Sequence, residues 1–272
     1  MPLAPLLAAY DHVLLDLDGC VRVGDQATPR AGEAVAALRD GGKGIVFVTN
    51  DPARAPEEVV RQLWGLGVQA SVAQVVTVGS AVQHVCAEAP QLRTAFVIGP
   101  AAVHRHVIDA GLRVLNHTDL ATRPDVVVVA AHPRFDYAEL RTATQAVLHG
   151  AAILAAGRDA TFPMPDGPWP GTGAVVAALE HATGAVAESV GKPEAPLFRT
   201  ALDRLGAVPG ARVLVVGDRI DADVAGARAA GLDAALVLTG VTGAEAAAAQ
   251  LEAPDGGVVA VAPTLGDLVL GP

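Results

Sequence analysis

Short runs of Val, Ile and Leu alternate along this chain with longer, Ala-rich amphipathic segments. The apolar runs predict strands at Val13–Leu17, Gly44–Val48, Gln74–Val78, Thr94–Ile98, Val126–Ala130, Ala152–Ala155, Arg212–Val216, Ala234–Leu238 and Val258–Val261. The amphipathic segments predict helices at Ala31–Asp40, Pro56–Leu66, Ser80–Glu88, Ala101–Ala110, Tyr137–Leu148, Gly173–Ala182, Ala195–Leu205 and Ala222–Ala230. Because strands that alternate with helices form βαβ units, the pattern predicts an α/β fold with a parallel sheet.

One region interrupts this alternation. Residues 157–171 are rich in Pro and Gly, so we expect a loop without regular structure, of the kind that is functional or connects domains. Residues 79–183 contain several strand–helix units of their own. We therefore expect 79–183 to form a second domain, inserted into a first domain made of 1–78 and 184–272.

Composition limits the classes of partner. The 272 residues are 51% hydrophobic and carry a formal net charge of −10, with no basic cluster. Nucleic acid and membranes are therefore not expected partners. Cys20 and Cys86 are too few for a disulfide framework, and the N-terminus lacks a signal-peptide pattern, so we expect a cytoplasmic protein.

Two carboxylates and a glycine follow the first predicted strand. Asp16 and Asp18 are two positions apart, and ligands of parallel α/β sheets bind at the carboxyl ends of strands. Two carboxylates this close repel each other unless a cation or a shared proton offsets their charge. The pair suggests metal-assisted chemistry with a nucleophile and a proton-transfer group, although Asp and Gly are also typical of a plain turn.

Polar residues also follow later strands. Thr49 and the backbone N–H of Asn50 could bind a phosphate oxygen, or they could form a helix cap or a turn. Asp218 is well placed to bind a hard cation such as Mg²⁺, whereas Asp223 could cap the helix that follows or support the site. Lys192 is either solvated or directed toward the acidic pair.

The order of these elements along the chain resembles the four motifs of the haloacid dehalogenase (HAD) superfamily. Residues 150–190 are similar to the type-two cap of its NagD-like, p-nitrophenyl phosphatase branch. The resemblance implies a doubly wound, Rossmann-like core with an inserted α/β cap. It also implies a Mg²⁺-dependent phosphatase that hydrolyses phosphate monoesters of small metabolites through an aspartyl-phosphate.

The resemblance assigns roles to individual residues. It implies that Asp16 is the nucleophile and Asp18 the general acid and base. Thr49, Asn50 and Lys192 would bind phosphate. Asp218, the Asp16 carboxylate and the Asp18 carbonyl would bind the metal, supported by Asp223.

The substrate-facing positions depart from the usual pattern of this branch. Cys20, Asp51-Pro52 and Ala156-Gly157-Arg158-Asp159 replace residues that are common there. Candidates for recognising the leaving group are His132, Arg134, Arg158, Asp159 and Trp169, each of which could instead be solvated or structural. The natural substrate, the role of Cys20 and of the 157–159 loop, and the formation of a homodimer stay open.

Two other functions are compatible with parts of the pattern. A phosphomutase or phosphotransferase of the same superfamily would use the same nucleophile. A receiver-type regulatory module is also doubly wound and has an acidic pocket. The inserted domain, Asp18 and the 161–171 segment argue against the receiver.

Overall fold

The computed structural model describes residues 2–164, 166–253 and 257–272, without the side chains of Pro163 and Met164. The chain divides into two compact units. The first contains residues 1–49, 56–76 and 192–272, and the second contains 50–55 and 77–191. The sequence-based division placed 50–55, 77–78 and 184–191 with the first domain, whereas here they group with the second unit.

The elements alternate as the hydrophobic pattern predicts. The strands are β1 (His12–Asp16), β2 (Arg22–Val23), β3 (Gln26–Ala27), β4 (Gly44–Thr49), β5 (Val75–Thr77), β6 (Thr94–Ile98), β7 (Arg113–Val114), β8 (Val126–Val129), β9 (Ala152–Ala155), β10 (Thr161–Met164), β11 (Gly167–Pro170), β12 (Glu188–Ser189), β13 (Val213–Gly217), β14 (Asp233–Val237) and β15 (Val258–Ala262). The helices are α1 (Ala31–Asp40), α2 (Pro56–Gly65), α3 (Val78–Ala87), α4 (Ala101–Asp109), α5 (Tyr137–Leu148), α6 (Thr172–Thr183), α7 (Ala195–Leu205), α8 (Ala225–Ala229), α9 (Ala244–Leu251) and α10 (Leu265–Leu270). Short 3₁₀ turns span Pro5–Ala9 and Val72–Gln74, and a π-helical turn spans Ile220–Val224.

The first unit is built around a six-stranded sheet with the order β15-β14-β13-β1-β4-β5. β1 pairs in parallel with both β13 and β4. The strand order therefore reverses direction along the chain at β1, which is where open parallel sheets form a crevice at their carboxyl ends. Leu15, Phe47 and Leu214 are among the fully buried side chains of this unit's core.

The second unit has its own five-stranded sheet, with the order β12-β9-β8-β6-β7. All of its strand pairs are parallel. Its core includes Ile98, Val129 and Val176, all fully buried. The prediction of an α/β fold with parallel sheets is confirmed.

The prediction of an irregular 157–171 loop is wrong over part of its length. β10 and β11 form an antiparallel pair in which Phe162 lies opposite Trp169. The two rings contact each other with centroids 6.3 Å apart. A two-stranded ribbon leaves both outer edges unpaired, so it tolerates the prolines that favoured a loop prediction. Pro165, within the same segment, lies outside the described residues.

The C-terminal part contains helices that the sequence pattern did not assign. α9 and α10 are short, at eight and six residues, so their periodicity is weak. The predicted helix Ala222–Ala230 is split into the π-helical turn and α8. Among the described residues, no helix is both long enough and apolar enough to cross a membrane.

Candidate active site

Two buried aspartates lie at the ends of neighbouring strands in the first unit. Asp16 is the last residue of β1, and Asp218 directly follows β13. The strands end here because an apolar run gives way to charged residues, and their parallel pairing brings both ends to one edge of the sheet. Both residues are buried, with 5% and 1% of their surface exposed. Buried carboxylates are rare unless a cation or hydrogen bonds compensate them.

Lys192 supplies one compensating charge. Its Nζ donates to Asp16 Oδ1 at 2.5 Å and to Asp223 Oδ1 at 2.7 Å. Burial alone would lower the pKa of Lys192, but the two carboxylates outweigh it and raise that pKa above its ordinary value. Lys192 is therefore a fixed, buried cation and not a solvated side chain.

Asp223 is held inside the protein by two donors. Its Oδ1 accepts the bond from Lys192, and its Oδ2 accepts a hydrogen bond from the backbone N–H of Arg219 at 3.1 Å. Asp223 lies in the π-helical turn, where the N–H of Val224 bonds to the carbonyl of Arg219 five residues earlier. With both oxygens already bonded, Asp223 is better suited to support Lys192 than to bind a metal directly.

Asp218 differs because one of its oxygens has no donor. Oδ2 accepts from the backbone N–H of Val241 at 2.6 Å, while Oδ1 is buried and lacks a hydrogen-bond partner in the described part of the chain. Glycines make room for this carboxylate, since a Cβ on Gly19 or Gly240 would overlap it. Gly19 has a φ of +91°, a conformation that other residues rarely adopt. A buried carboxylate oxygen with no hydrogen-bond donor, held in such a cradle, fits the oxygen donors that a hard cation prefers.

The arrangement fits a hard divalent cation. Asp16, Asp218 and Asp223 each place an oxygen such that the three oxygens lie within 4.8 Å of one another. Three buried carboxylates face one buried ammonium, so negative charge is in excess. Burial raises the pKa of Asp16 well above its ordinary value, with Asp223 and Asp218 adding to the effect and Lys192 opposing it. Burial likewise raises the pKa of Asp218. A cation with oxygen preference, such as Mg²⁺, would relieve this excess.

The Asp18 carboxylate lies outside the buried cluster. Its side chain is 56% exposed and forms an ion pair with Arg22, from Nη2 to Oδ1 at 3.0 Å. The turn that brings them together is closed by the N–H of Gly19, which donates to the carbonyl of Arg22 at 2.7 Å. Arg22 itself is buried, which the sequence analysis missed. A four-residue separation of opposite charges predicts such a pair only on a helix, and residues 18–22 form a turn, so the sequence carried no usable signal for it.

The remaining predicted phosphate-binding residues lie in two different units. Thr49 is buried as the last residue of β4 in the first unit. Asn50 belongs to the second unit, where its Nδ2 donates to Asp159 Oδ2 at 3.0 Å. The Asn50 side chain therefore fixes Asp159, one of the candidate recognition residues.

Most of the other candidate recognition residues already have partners within the second unit. His132 Nε2 lies 3.0 Å from Glu139 Oε2. Arg158 Nη2 donates to Glu180 Oε1 at 2.8 Å and to the carbonyl of Ala187 at 2.7 Å. Trp169 Nε1 donates to Asp166 Oδ1 at 2.9 Å, and Arg134 is exposed. The contacts of Arg158 and Trp169 give both residues a structural role.

The loop after β14 also contributes, which sequence reasoning did not recognise. Val241 donates to Asp218, and Thr239 Oγ1 donates to the carbonyl of Gly19 at 2.6 Å. The signal was a Thr-Gly-Val-Thr-Gly turn directly after a predicted strand. Cys20, whose role stayed open, is buried with its Sγ 3.6 Å from the carbonyl of Val216. Its position is that of a small core side chain.

Comparisons with known proteins cover most of the chain. Residues 13–113 match the family described as haloacid dehalogenase-like hydrolase, and residues 189–268 match a second family described as HAD-hydrolase-like. A D-glycerol 3-phosphate phosphatase of Mycobacterium tuberculosis is 39% identical over 237 residues, which are 86% of this chain and 65% of the relative. The chain thus spans about two thirds of that relative's length. The 5′-nucleotidase YutF of Bacillus subtilis is 30% identical over 91% of this chain and 94% of the relative.

Solved structures share the same architecture. A glycerol phosphate phosphatase of Mycobacterium tuberculosis, in complex with magnesium, has a TM-score of 0.86 and 35% identity over 96% of this chain and 77% of that one. A p-nitrophenyl phosphatase of Archaeoglobus fulgidus has a TM-score of 0.86 and 30% identity over 95% of this chain and 98% of that one. At these identities the likeness extends beyond the fold to sequence relationship.

Proposed function

Because this chain belongs to the haloacid dehalogenase superfamily and is a phosphatase of its NagD-like, p-nitrophenyl phosphatase branch, we propose that it hydrolyses phosphate monoesters through an aspartyl-phosphate on Asp16. The observation that carries this proposal is the buried cluster of Asp16, Lys192, Asp218 and Asp223 at the reversal point of the first sheet. Such a cluster supplies a carboxylate nucleophile together with fixed positive charge for the phosphoryl oxygens.

The first step transfers the phosphoryl group to the enzyme. An Asp16 carboxylate oxygen attacks phosphorus while the bond from phosphorus to the leaving oxygen breaks. Asp18, in its protonated form, gives its proton to that leaving oxygen, so the alcohol departs neutral. Lys192 and the hydroxyl of Thr49 hold phosphoryl oxygens in line for the attack.

The second step returns the enzyme to its starting state. Asp18, now a carboxylate, takes a proton from a water molecule that attacks phosphorus. The bond between phosphorus and Asp16 breaks, and phosphate leaves. One residue thus acts first as acid and then as base, which requires its carboxylate to be accessible, as the exposure of Asp18 permits.

Mg²⁺ is the cofactor that this donor set fits. We propose that Asp16, the backbone carbonyl of Asp18 and Asp218 hold it, with Asp223 in support. When bound, it offsets negative charge on the carboxylates and on the phosphoryl oxygens. The unpaired Oδ1 of Asp218 is the observation in its favour.

The second unit is proposed to be the cap that recognises the leaving group and excludes water during the first step. The named activities of the relatives include those of a glycerol phosphate phosphatase and a 5′-nucleotidase, so the proposed substrate is a small phosphorylated metabolite. The proposed location is the cytoplasm, where two unpaired cysteines such as Cys20 and Cys86 stay reduced.

Phosphate release from a panel of esters tests this function. The panel contains glycerol phosphates, sugar phosphates, nucleotides and p-nitrophenyl phosphate, each measured with Mg²⁺ and with EDTA. We expect free phosphate with Mg²⁺ only. Transfer of phosphate to a second organic molecule would instead indicate a phosphomutase or phosphotransferase, and a stable phosphoprotein without turnover would indicate a receiver-type module.

A further inference from the structure

Arg22 is a buried cation that the proposed chemistry does not use. Its side chain is 6% exposed, although guanidinium groups are rarely buried without a compensating partner. Its partners belong to the same unit: Nη1 donates to Gln62 Oε1 at 2.9 Å, and Nη2 contacts the Asp18 carboxylate. Among the described residues, Asp18 is the one carboxylate paired with Arg22.

The contact between Arg22 and Asp18 fixes the carboxylate through both of its oxygens. Nη2 lies 3.0 Å from Oδ1 and 3.3 Å from Oδ2. Gln62 on α2 holds the other end of the guanidinium, so Arg22 is not free to follow Asp18 into solvent. This arrangement costs free energy, because Arg22 Nε is a buried donor that has no hydrogen-bond partner in the described ranges. A buried donor without a partner is uncommon in a native structure, and packing alone does not account for it.

We propose that Arg22 is a positioning residue that holds the Asp18 carboxylate in place for the second, water-activating step. The inference rests on the proposed function of Asp18. After the first step Asp18 has lost its proton and is an anion, which is the form that an arginine binds. Held by Arg22, it stays oriented to accept a proton from water instead of rotating into solvent. Arg22 touches no reacting atom and acts through Asp18.

Burst kinetics with p-nitrophenyl phosphate test this role. The p-nitrophenolate leaving group departs without a proton, so its burst reports the first step and the steady state reports hydrolysis of the phosphoenzyme. For Arg22→Met we expect a burst rate within about threefold of the wild type and a steady-state kcat lower by about tenfold to 100-fold. Arg22→Lys, which keeps the charge, should recover part of the loss. Equal losses in burst and steady state would overturn the proposal, because a merely structural role affects both.

A double-mutant cycle separates action through Asp18 from a general defect. In an Asp18→Asn background, Arg22→Met should lower the steady-state rate no further. A further loss of rate in the double mutant would contradict the inference. This comparison remains possible even if Arg22→Met lowers the melting temperature.

Arg39→Met is the matched control, since Arg39 in the same unit also bonds a glutamine, Gln69, and should retain wild-type kinetics. If wild-type enzyme releases no phosphate from any ester, the proposed function fails; if it does and the Arg22 variants behave like Arg39→Met, this inference alone fails.

Discussion

Both units of this protein are built on a parallel sheet, yet they carry very different residues at the strand ends. In the first unit, β1, β4 and β13 end in or lead into Asp16, Thr49 and Asp218, all buried. In the second unit, β6, β8 and β9 lead into Gly99, Ala130 and Ala156, which have no charged group to offer. The same architecture thus carries a buried cluster of charged residues at the strand ends of one unit and small uncharged residues at those of the other. What differs is a handful of side chains at one sheet edge, so function has to be argued from the site and not from the fold.

The difference predicts that removing the nucleophile affects activity far more than removing a carboxylate of the other sheet. Asp16→Asn should fold, because Lys192 keeps Asp223 as a partner, and should lower kcat for p-nitrophenyl phosphate by on the order of 10⁴-fold or more. The matched control is Asp125→Asn in the second unit, where Asp125 Oδ2 accepts bonds from the backbone of Arg93 and Thr94. That variant should keep its activity. An active Asp16→Asn would remove the reason for distinguishing the two sheets.

Replacing the buried lysine should cost stability as well as activity. Lys192→Met leaves three buried carboxylates without their ammonium, so we expect the free energy of unfolding to fall by about 3–5 kcal/mol in metal-free buffer. Lys43→Met serves as a control, because Lys43 Nζ donates to the carbonyl of Tyr10 at 2.6 Å but faces no carboxylate cluster; its loss should be about 1 kcal/mol. Urea denaturation measures both. Equal decreases in the free energy of unfolding for the two variants would show that Lys192 does not stabilise the buried carboxylates.

Mg²⁺ should stabilise the first sheet and leave the second unaffected. At 100 times its dissociation constant, a ligand that binds only the folded state adds about 2.7 kcal/mol. Hydrogen exchange should therefore slow at residues 16–22 and 217–224 on adding Mg²⁺, with no change at 99–103 or 130–136. In Asp218→Asn the effect should disappear. If Mg²⁺ slowed hydrogen exchange equally in both units, this would contradict a cation site that lies only in the first unit.

Gly19 and Gly99 allow a test of how much space each sheet leaves for an added side chain at its strand ends. In Gly19→Ala the new Cβ would overlap Asp218, so we expect about tenfold or more weaker half-saturation by Mg²⁺. In Gly99→Ala the Cβ would meet Ala130 and Val103 at 3.4 Å, an ordinary contact, and activity should stay unchanged. Mg²⁺ titrations of phosphate release distinguish the two variants. Unaltered Mg²⁺ dependence in Gly19→Ala would mean that Asp218 does not bind the metal.

We expect the smallest effect from Tyr10, which precedes β1 at the end opposite to Asp16, and this effect concerns the pH dependence of stability. Tyr10 donates to Asp233 Oδ2 at 2.8 Å, and burial together with this carboxylate raises the pKa of Tyr10 from 10.0 to about 12. In the unfolded chain the Tyr10 hydroxyl loses its proton near pH 10. Its contribution to the free energy of unfolding is therefore complete below that pH and is lost as the pH rises toward 12. The difference in unfolding free energy between wild type and Tyr10→Phe should shrink over this window and stay constant below it. Activity at neutral pH should be the same in both.

The sequence predicts the two sheets and the buried aspartates because apolar runs end abruptly in charged residues. That signal is local, so the residue pattern alone draws attention to Asp16 and Asp218. It left a plain turn open for the Asp16–Asp18 pair and a solvated side chain open for Lys192, and the order of the motifs along the chain was needed to assign their roles. The pairing of Arg22 with Asp18 is not predictable in this way, because it depends on a backbone turn that folds a basic residue inward. The β10–β11 ribbon was not predictable from the sequence either, since its prolines are typical of loops. The pairing is seen only in the structure, where Phe162 contacts Trp169 across the two strands.

Acid-quenched mass spectrometry determines whether an aspartyl-phosphate forms on Asp16. The Asp18→Asn enzyme is mixed with p-nitrophenyl phosphate and Mg²⁺, quenched within the burst and digested. We expect phosphate on the peptide that contains Asp16, and none in Asp16→Asn treated in the same way. Phosphate on a different residue, or wild-type turnover with Asp16 never labelled, would contradict it.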